Sequence, residues 1–386
     1  MAKKKKNKPY VNAGFLNTRL YRLVSLFVIK ERVFLAIVIS CFFLSALFFP
    51  YPHIAMWIGF IFAAYSAIAN DSIQTIGTFL VSNSHRKWYV LWLFIGLIFV
   101  ATTFYSWYTF DGDVSYQRLM SKGFDKNPRE YIQEGGGFAF LQIAAPIFLL
   151  ILTRMRMPVS TTFLLLSAFA SDSAGITGMM SKSASGYLIA FATSFILWTL
   201  IDKAVKKMTQ NPAQTYWTYI QWITSGTLWS VWIMQDAANI AVFLPRDMNF
   251  GEYAAFASIV FIGLGVLFFL RGDTIQKIVN EKTEIADVRT ATIVDFSYAI
   301  ILFVFKTWSK IPMSTTWVFI GLLGGREIAM NLIVRKAKAK TRNYILKMVW
   351  RDLLFAFIGL AVSVMLAVAV NPEIQRELLQ FIKSLR

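Results

Sequence analysis

Long apolar runs recur along the whole of this 386-residue chain and restrict what it can fold into. A run of about 20 residues matches the hydrocarbon thickness of a bilayer. Backbone in lipid must satisfy its own hydrogen bonds, and continuous runs do so as helices, whereas a barrel needs short alternating strands. The eleven runs are 33–49, 54–80, 88–108, 136–153, 157–180, 185–201, 216–243, 253–270, 293–305, 311–334 and 353–370. The sequence therefore predicts an all-α polytopic membrane protein with about 11 transmembrane segments.

The composition agrees with a membrane protein and excludes several functional classes. Hydrophobic residues make up 56% of the chain and charged residues 16%, whereas soluble domains carry roughly 25% charged residues. The one cysteine, Cys41, excludes an intrachain disulfide, and two histidines are too few for a histidine-rich di-metal site. The sequence has no nucleophile–histidine arrangement, metal-ligand cluster or nucleotide-binding loop. We therefore expect neither an enzyme nor a bound cofactor.

The net charge of +18 is concentrated between the apolar runs, as in the cytoplasmic loops of membrane proteins. The first 32 residues hold nine basic side chains and one acidic one, which predicts a cytoplasmic N-terminus in the plasma (inner) membrane. We attribute the basic tail to orientation and anionic lipid, not to nucleic acid. If each run crosses once, the cytoplasmic connections are 81–87, 154–156, 202–215, 271–292 and 335–352, and the basic exceptions on the other side are Lys182, Lys306 and Lys310.

Two kinds of polar string interrupt the apolar sequence, each twice and in the same order. The acidic strings are AND at 69–71 and QDAAN at 235–239, and each is followed by a hydroxyl string, PVSTT at 158–162 and PMSTT at 312–316. Polar groups inside a bilayer are costly and usually mark the path of a solute. Paired polar breaks in corresponding positions of two halves indicate a transporter binding site.

Alternate crossing of the membrane places the two sets of strings in opposite orientations. After the first helix the runs divide into two sets of five, so the first acidic string is entered from outside and the second from inside. This predicts an inverted-topology 5+5 repeat plus an extra N-terminal helix, with broken or re-entrant helices at the midplane. The predicted divisions are a basic cytoplasmic segment 1–32, an extra transmembrane helix 33–50, repeats at 54–202 and 216–370, and a tail at 371–386.

The acidic strings place oxygen-rich side chains in mid-membrane. A carboxylate beside amide and carbonyl oxygens suits sodium, or can carry a proton. The alternative is a structural pair between one aspartate and an arginine, which the repetition of the string disfavours. The predicted cation ligands are Asn70, Asp71, Gln74, Gln235, Asp236 and Asn239, with Na⁺ assigned to Asp71 and Asp236.

Each hydroxyl string follows a proline, which favours the first turn of a helix. Three hydroxyls and free amides then stand at a helix N-terminus, where N–H groups and the helix dipole bind anions. The alternative is that these residues only cap or join helices, which a string occurring twice disfavours. The predicted anion ligands are Ser160, Thr161, Thr162, Ser314, Thr315 and Thr316.

Other polar residues carry weaker signals. Asp172 follows the first hydroxyl string, and whether it lines the same cavity is left open. Arg326 and Glu327 are adjacent, and we expect them to be structural or gating residues. Asp295 lies near the predicted end of a run, so we expect it to be solvated. The connection 111–134 has no apolar period and is predicted to be a surface loop.

At these strings the chain resembles the inorganic phosphate transporter (PiT) family of sodium- or proton-coupled symporters. That family carries a GANDVAN-like string and a PVSTTH-like string twice each, on inverted repeats. The resemblance implies that the hydroxyl strings hold phosphate and that the aspartates and amides hold sodium. The chain departs from the family at Gln74 and Gln235, where asparagine is usual, and at Phe163 and Trp317, where histidine is usual. These departures indicate a divergent member.

The leading hypothesis is a symporter that moves inorganic phosphate, or a similar tetrahedral oxyanion, with Na⁺ or H⁺ by alternating access. The alternative is a passive channel or a proton-coupled carrier for a different ion on the same scaffold. The expected partners are the oxyanion, the coupling cation and the lipid bilayer, with no nucleic acid. Oligomeric state and the choice among phosphate, sulfate and related anions stay open, because these anions share charge and shape.

Overall fold

The computed structural model of the chain describes most of the sequence. The described ranges are 13–121, 123–124, 126–155, 157, 159–283, 287–334 and 339–384. Within them, side chains are not described at 13–30, 72–74, 270–283, 332–334, 339–342, 381–382 and 384. Every regular element in the described ranges is helical, which confirms the predicted all-α class.

The chain divides into two compact units, residues 1–44 and 45–386. Helix α1 (Ala13–Phe48) begins well before the predicted start at residue 33. The reason is that residues 15–32 contain neither proline nor glycine, so nothing interrupts the helix there. Its part Glu31–Phe48 is long and apolar enough to cross a membrane.

The second unit contains the remaining helices. These are α2 (Pro52–Thr75), α3 (Gly77–Ser82), α4 (Trp88–Thr109), α5 (Pro128–Gln133), α6 (Phe140–Arg154), α7 (Thr161–Leu166), α8 (Ser173–Thr209), α9 (Tyr216–Ala241), α10 (Phe250–Thr283), α11 (Val288–Trp308), α12 (Thr315–Ile328), α13 (Ala339–Val370) and α14 (Pro372–Ser384). Short 3₁₀ turns occur at Arg118–Met120 and Ser167–Phe169, and α12 continues into a π-helical segment, Ala329–Val334. We call α2–α8 the first half and α9–α13 the second half.

Seven helices in the described ranges are long and apolar enough to cross a membrane, by length and composition. They lie in α1, α2, α4, α8, α10, α11 and α13. The other predicted segments correspond to helices that are shorter, such as α6, α7 and α12, or more polar, as in α9. The predicted runs 157–180 and 185–201 were divided in the wrong place, because α8 joins the end of the first to the second. The protein is a multi-pass membrane protein.

The polar strings coincide with helix boundaries or breaks in three of four places. Helix α2 ends at Thr75, four residues after Asp71, and α3 begins at Gly77 after a non-helical residue. The hydroxyl strings begin α7 and α12. The second acidic string differs, because α9 runs unbroken through Asp236 to Ala241.

The two halves use the same set of helix contacts. Helix α2 packs on α6 and α10, and the matching α9 packs on α11 and α4. The short α7 packs on α13, and the matching α12 packs on α8. In addition α2 contacts α9, and α4 contacts α10. Exchanging α2 with α9, α4 with α10, α6 with α11, α7 with α12 and α8 with α13 maps these contacts onto themselves. The repeat boundaries 54–202 and 216–370 remain predictions.

Glycines bring α12 against the backbone of α8. A Cβ at Gly321 would collide with the Tyr187 carbonyl oxygen, and one at Gly325 would collide with the Phe191 carbonyl oxygen. Backbones approach this closely only where a side chain is absent, as is common between membrane helices. The second hydroxyl string is therefore carried by a helix that is fixed tightly to α8.

Candidate functional site

The first hydroxyl of each string caps its own helix. The Ser160 hydroxyl accepts a hydrogen bond from the Phe163 amide at 3.1 Å, and the Ser314 hydroxyl accepts one from the Trp317 amide at 3.2 Å. Both serines are buried. An N-cap of this kind orders the first turn and directs its free amides toward the end of the helix. These contacts use the hydroxyl oxygens as acceptors and not the O–H groups as donors, so Ser160 and Ser314 shape the site and remain predicted anion ligands.

The two hydroxyl strings meet in the protein interior through a reciprocal pair of hydrogen bonds. The Thr162 hydroxyl lies 3.2 Å from the Met313 carbonyl oxygen and 3.1 Å from Asp236 Oδ1, and these two acceptors share its one proton. The Thr316 hydroxyl donates to the Val159 carbonyl at 3.3 Å. Each string therefore binds the residue that precedes the other string's serine. The beginnings of α7 and α12 consequently face each other where the two halves cross.

The first acidic string lies directly against the first hydroxyl string. The Thr161 hydroxyl is 2.9 and 3.1 Å from the two carboxylate oxygens of Asp71. The Asn70 amide nitrogen is 2.9 Å from Asp71 Oδ1 and 3.0 Å from both the Val159 carbonyl and the Thr161 hydroxyl. The Asn70 carbonyl oxygen accepts from Thr153 at 3.1 Å. Asp71 is fully buried, so its charge depends on these polar groups.

The second acidic string contacts the hydroxyl strings of both halves. Asp236 Oδ1 accepts from the Thr162 hydroxyl at 3.1 Å and from the Asn239 amide at 2.5 Å. The Thr315 side chain of the second string adjoins the same carboxylate. Gln235 is anchored through its amide nitrogen, which donates to the Leu302 carbonyl at 3.0 Å. The structure thus brings both acidic and both hydroxyl strings together.

Three buried oxygen atoms of the second acidic string have no hydrogen-bond donor among the described residues. They are Gln235 Oε1, Asp236 Oδ2 and Asn239 Oδ1. Each unsatisfied buried polar atom costs roughly 1–3 kcal/mol. Carboxylate and amide oxygens are ligands for hard cations such as sodium. This cluster therefore has the chemistry of a cation site.

The electrostatics of the site also favour a bound cation. The Asp71 and Asp236 carboxylates are both buried and repel each other. Like charges in a low-dielectric interior are costly unless a positive charge offsets them. The predicted cation ligand Gln74 is not placed, because its side chain lies outside the described residues, as does Pro158 of the first hydroxyl string.

Asp295 corrects the prediction that it is solvated. Only 1% of the residue is exposed, and its carboxylate accepts from the Thr78 hydroxyl at 2.6 Å and from the Ser225 hydroxyl at 2.5 Å. The error lay in the element boundary, because α11 begins at Val288 and places Asp295 two turns inside the helix. Asp295 is thus a further buried carboxylate, held by α3 and α9.

Arg118 corrects the prediction that 111–134 is only a surface loop. Arg118 is 2% exposed, and its Nε donates to the Met234 carbonyl at 2.8 Å. Its Nη1 lies 3.3–3.4 Å from the carbonyls of residues 309–311, the segment that leads into the second hydroxyl string. Burial lowers the pKa of Arg118 to about 10, so it is cationic at neutral pH, and its charge acts on Asp236.

The basic exceptions to the charge rule gather around the same segment. The Lys182 ammonium donates to the Ser309 and Ile311 carbonyls, each at 2.7 Å. Lys306 lies over the Tyr116 ring, 5.5 Å from its centroid. Isolated basic residues carry no pattern in the sequence, so their convergence with Arg118 could not be predicted. They fix the approach to the second hydroxyl string.

Three further residues have structural roles. The Asp172 side chain accepts from the Gly175 amide at 2.9 Å, so it caps α8. Arg326 forms a salt bridge with Glu327 at 2.6 Å and lies over the Trp198 ring, 5.0 Å from its centroid. These contacts lie at the end of α12 remote from its hydroxyl string, which agrees with a structural role.

A solved structure described as "The sodium-dependent phosphate transporter" is similar to this chain in fold. The TM-score is 0.56, the sequence identity is 18%, and the likeness covers 82% of this chain and 98% of that chain. The chain therefore shares the fold of that structure. Protein-family models and curated proteins give no sequence match to the chain.

The residues that follow the hydroxyl strings pack on each other across the two halves. The rings of Phe163 and Trp317 form an edge contact with centroids 5.5 Å apart. Phe163 is buried, and the buried Trp317 Nε1 has no hydrogen-bond partner among the described residues. An aromatic pair therefore lies beside the candidate site where histidines would place polar atoms.

Proposed function

We propose that this protein is a secondary active transporter that moves inorganic phosphate, or a similar tetrahedral oxyanion, together with a coupling cation. The observation that carries the proposal is the crossing point, where two acidic and two hydroxyl strings form one buried cluster. The fold shared with a sodium-dependent phosphate transporter supports the same class of cargo. The charge distribution supports a plasma-membrane protein with a cytoplasmic N-terminus.

In this proposal the cation binds at the carboxylates of Asp71 and Asp236. Gln235, Asp236 and Asn239 supply three oxygens that have no donor in the part of the chain that the structure describes, and Asp71 with Asn70 supplies the matching group of the first half. Sodium satisfies these oxygens and offsets the repulsion between the two aspartates. A proton on one aspartate is the alternative coupling ion for the same carboxylates.

The anion occupies the hydroxyls and first-turn amides of α7 and α12. Thr161, Thr162, Thr315 and Thr316 supply hydroxyl groups, and the amides at both helix starts have no acceptor within their helices. Ser160 and Ser314 hold the two turns in shape. The bound cations offset the charge of the anion in the low-dielectric interior.

The coupling between cation and anion binding follows from the carboxylates to which the threonine hydroxyls donate in this structure. The Thr161 and Thr162 hydroxyls donate to Asp71 and Asp236, so in this arrangement they are engaged. A cation on each carboxylate weakens its need for those donors and frees the hydroxyls to bind an oxyanion. Cation binding therefore prepares the anion site, and the anion in turn favours the cation-bound state.

Uptake into proteoliposomes tests the proposal. Radiolabelled phosphate should accumulate when an inward sodium gradient is imposed, and unlabelled arsenate or sulfate added in excess measures selectivity among tetrahedral anions. Equal uptake with and without sodium, but faster uptake with an inward proton gradient, assigns proton coupling. A folded protein that takes up no phosphate under either gradient contradicts the proposal, and uptake that never exceeds equilibrium indicates a passive channel.

A further inference from the structure

A partly open cavity of about 180 Å³ lies at the end of the bundle where α6 begins and α9 and α13 end. We call it the vestibule. Its polar lining comprises Lys126, Gln142, Arg246 and Asn371, and its apolar lining includes Phe138 and Phe169. This end also carries the 110–139 segment, and the charge distribution predicts that it faces outside.

The vestibule is close to the candidate site in both halves. Its lining residue Ala168 follows Thr162 by six residues along α7 and the 3₁₀ turn, and Val242 follows Asn239 by three. At a helical rise of 1.5 Å per residue, these separations are roughly 9 Å and 5 Å. A solute in the vestibule is therefore one short step from the threonines.

Arg246 gives the vestibule a fixed positive charge. It is 5% exposed, and its Nη1 donates to the Ala241 and Leu244 carbonyls at 3.0 and 2.8 Å. Its Nε is buried and has no acceptor among the described residues. Burial lowers the pKa of Arg246 to about 10, so the side chain is cationic at neutral pH. A buried guanidinium with an unused donor is suited to an oxyanion.

None of the residues that line the vestibule is acidic, and the buried Asp113, which acts on the Arg246 charge, lies outside the lining. The Gln142 amide donates to the Ala168 carbonyl at 3.0 Å, and the Asn371 amide donates to the Ala170 carbonyl. Both amides therefore bind backbone carbonyls in the wall of the vestibule. Lys126 is exposed at the rim and adds a second positive charge. The ligand that matches this lining is a small anion.

Two rings that line the vestibule, Phe138 and Phe169, pack against a third, Phe243, and we call the three rings the aromatic seal. Phe169 and Phe243 make an edge contact at 4.7 Å between centroids, and Phe138 lies 6.2 and 6.1 Å from them. Phe243 is fully buried and fills the space that a Cβ at Gly59 would need. Since Phe138 and Phe169 belong to the first half and Phe243 follows α9, the seal joins both halves.

We propose that the vestibule is a second anion site, where Arg246 and Lys126 hold a phosphate group before it passes the aromatic seal to the hydroxyl strings. The choice of phosphate rests on the proposed function. The same chemistry is presented by free phosphate and by the headgroup of an anionic lipid, and the experiment below separates the two sources.

Equilibrium binding of radiolabelled phosphate to the full-length protein in phosphatidylcholine nanodiscs tests the proposal. Wild type should bind at both sites. Arg246→Gln should lose one site, or weaken it by at least about tenfold, because a charge-assisted hydrogen bond is removed. Thr162→Ala should weaken the other site and spare the first. The exposed Arg376→Gln, on α14, is the matched control and should bind as wild type does.

Lys126→Gln provides a second test that does not disturb the core, since Lys126 is exposed. It should weaken the Arg246-dependent site and raise the KM for uptake without lowering kcat. One binding site in wild type, sensitive to Thr162→Ala and unaffected by both basic variants, overturns the vestibule proposal and leaves the proposed function intact. No phosphate binding at either site defeats both.

The lipid composition identifies the source of the phosphate group. In nanodiscs with added phosphatidylglycerol, free phosphate should still occupy the Arg246-dependent site. Loss of that phosphate as phosphatidylglycerol is added, with the Thr162-dependent site unchanged, shows that a lipid headgroup occupies the vestibule. That result overturns the role of the vestibule as a waiting site for cargo.

Discussion

At the scale of single residues, the candidate site depends on which oxygen atoms already have donors. The Thr161 hydroxyl lies within hydrogen-bond distance of both carboxylate oxygens of Asp71, whereas Asp236 Oδ2 has no donor among the described residues. The twice-occurring strings made these residues predictable, because a carboxylate or a cluster of hydroxyls is rare in apolar sequence. Their pairing was not predictable, since Thr162 and Asp236 meet only through the packing of the two halves.

We predict that Asp71→Asn and Asp236→Asn each reduce cation-driven uptake by at least about tenfold, because the amide keeps the shape but removes the charge that binds a cation. Proteoliposome uptake measures the loss, and a size-exclusion profile shows whether the fold is kept. Asp172→Asn is the matched control, since asparagine caps a helix as well as aspartate does. Wild-type uptake by both site variants contradicts the assignment.

We predict that Thr78→Val lowers the free energy of unfolding by about 1–3 kcal/mol, because the buried Asp295 carboxylate loses one of its two hydroxyl donors. Thermal unfolding in detergent measures the change. Ser297→Ala is the control, since that hydroxyl only donates to the Ile293 carbonyl of its own helix. Equal effects of the two variants would show that Asp295 does not depend on Thr78.

At the scale of elements, the position of each hydroxyl string is fixed from outside its own helix. The loop segment with Arg118 holds the carbonyls that lead into α12, and α8 fixes the glycine face of α12. Helix existence was predictable from the apolar runs, but boundaries were not, as α1, α8 and α11 show. The burial of Arg118 could not be predicted from the sequence, because a single arginine in a polar loop looks the same whether it is buried or solvated.

We predict that Arg118→Gln loosens residues 309–313, because three carbonyls lose a buried cationic donor. Hydrogen–deuterium exchange should be faster in that segment than in wild type. Arg129→Gln is the control from the same polar connection, where Arg129 forms surface salt bridges with Asp247 and Glu252 that contribute little. Unchanged exchange at 309–313 in Arg118→Gln would show that other contacts hold the segment.

We predict that Gly325→Ala destabilises the protein by about 1–3 kcal/mol, because its methyl group would force α12 away from the Phe191 carbonyl. Gly178→Ala should be near neutral, since a Cβ there meets Ile311 at an ordinary 3.6 Å. Thermal unfolding of both variants in detergent gives the comparison. Similar stability of the two would show that α8 and α12 separate without cost.

At the scale of the whole molecule, the orientation of the bundle decides which way cargo enters. The apolar runs and the basic clusters predicted a multi-pass protein, and the fold agrees with that class. The predicted count of eleven is larger than the seven long apolar helices found among the described residues, because α6, α7 and α12 are shorter and α9 is more polar. Hydropathy measures the length of an apolar run. A helix that begins inside the bundle does not have to cross the whole bilayer, so it can have a shorter apolar run.

We predict that the Lys126→Cys variant, made in a Cys41→Ser background, reacts with a membrane-impermeant thiol reagent in intact cells. Lys203→Cys, at an exposed position near the C-terminal end of α8, should react only after permeabilisation. The expected pattern follows from the basic clusters that place 202–215 in the cytoplasm. The reverse pattern would invert the orientation and make the vestibule an internal feature.

The threonine that contacts Asp71 and the threonine that contacts Asp236 stand in different relations to the two halves, and this difference matters for a transport cycle. Asp71 is bound by Thr161 of its own half, whereas Asp236 is bound by Thr162 of the opposite half. When the halves separate to admit solvent, Asp236 loses the Thr162 hydroxyl but keeps Asn239 of its own half, whereas Asp71 keeps Thr161. In the transport cycle that we propose, Asp236 therefore loses a hydroxyl donor at a step at which Asp71 keeps one, and a difference of one position along a helix sets this contrast.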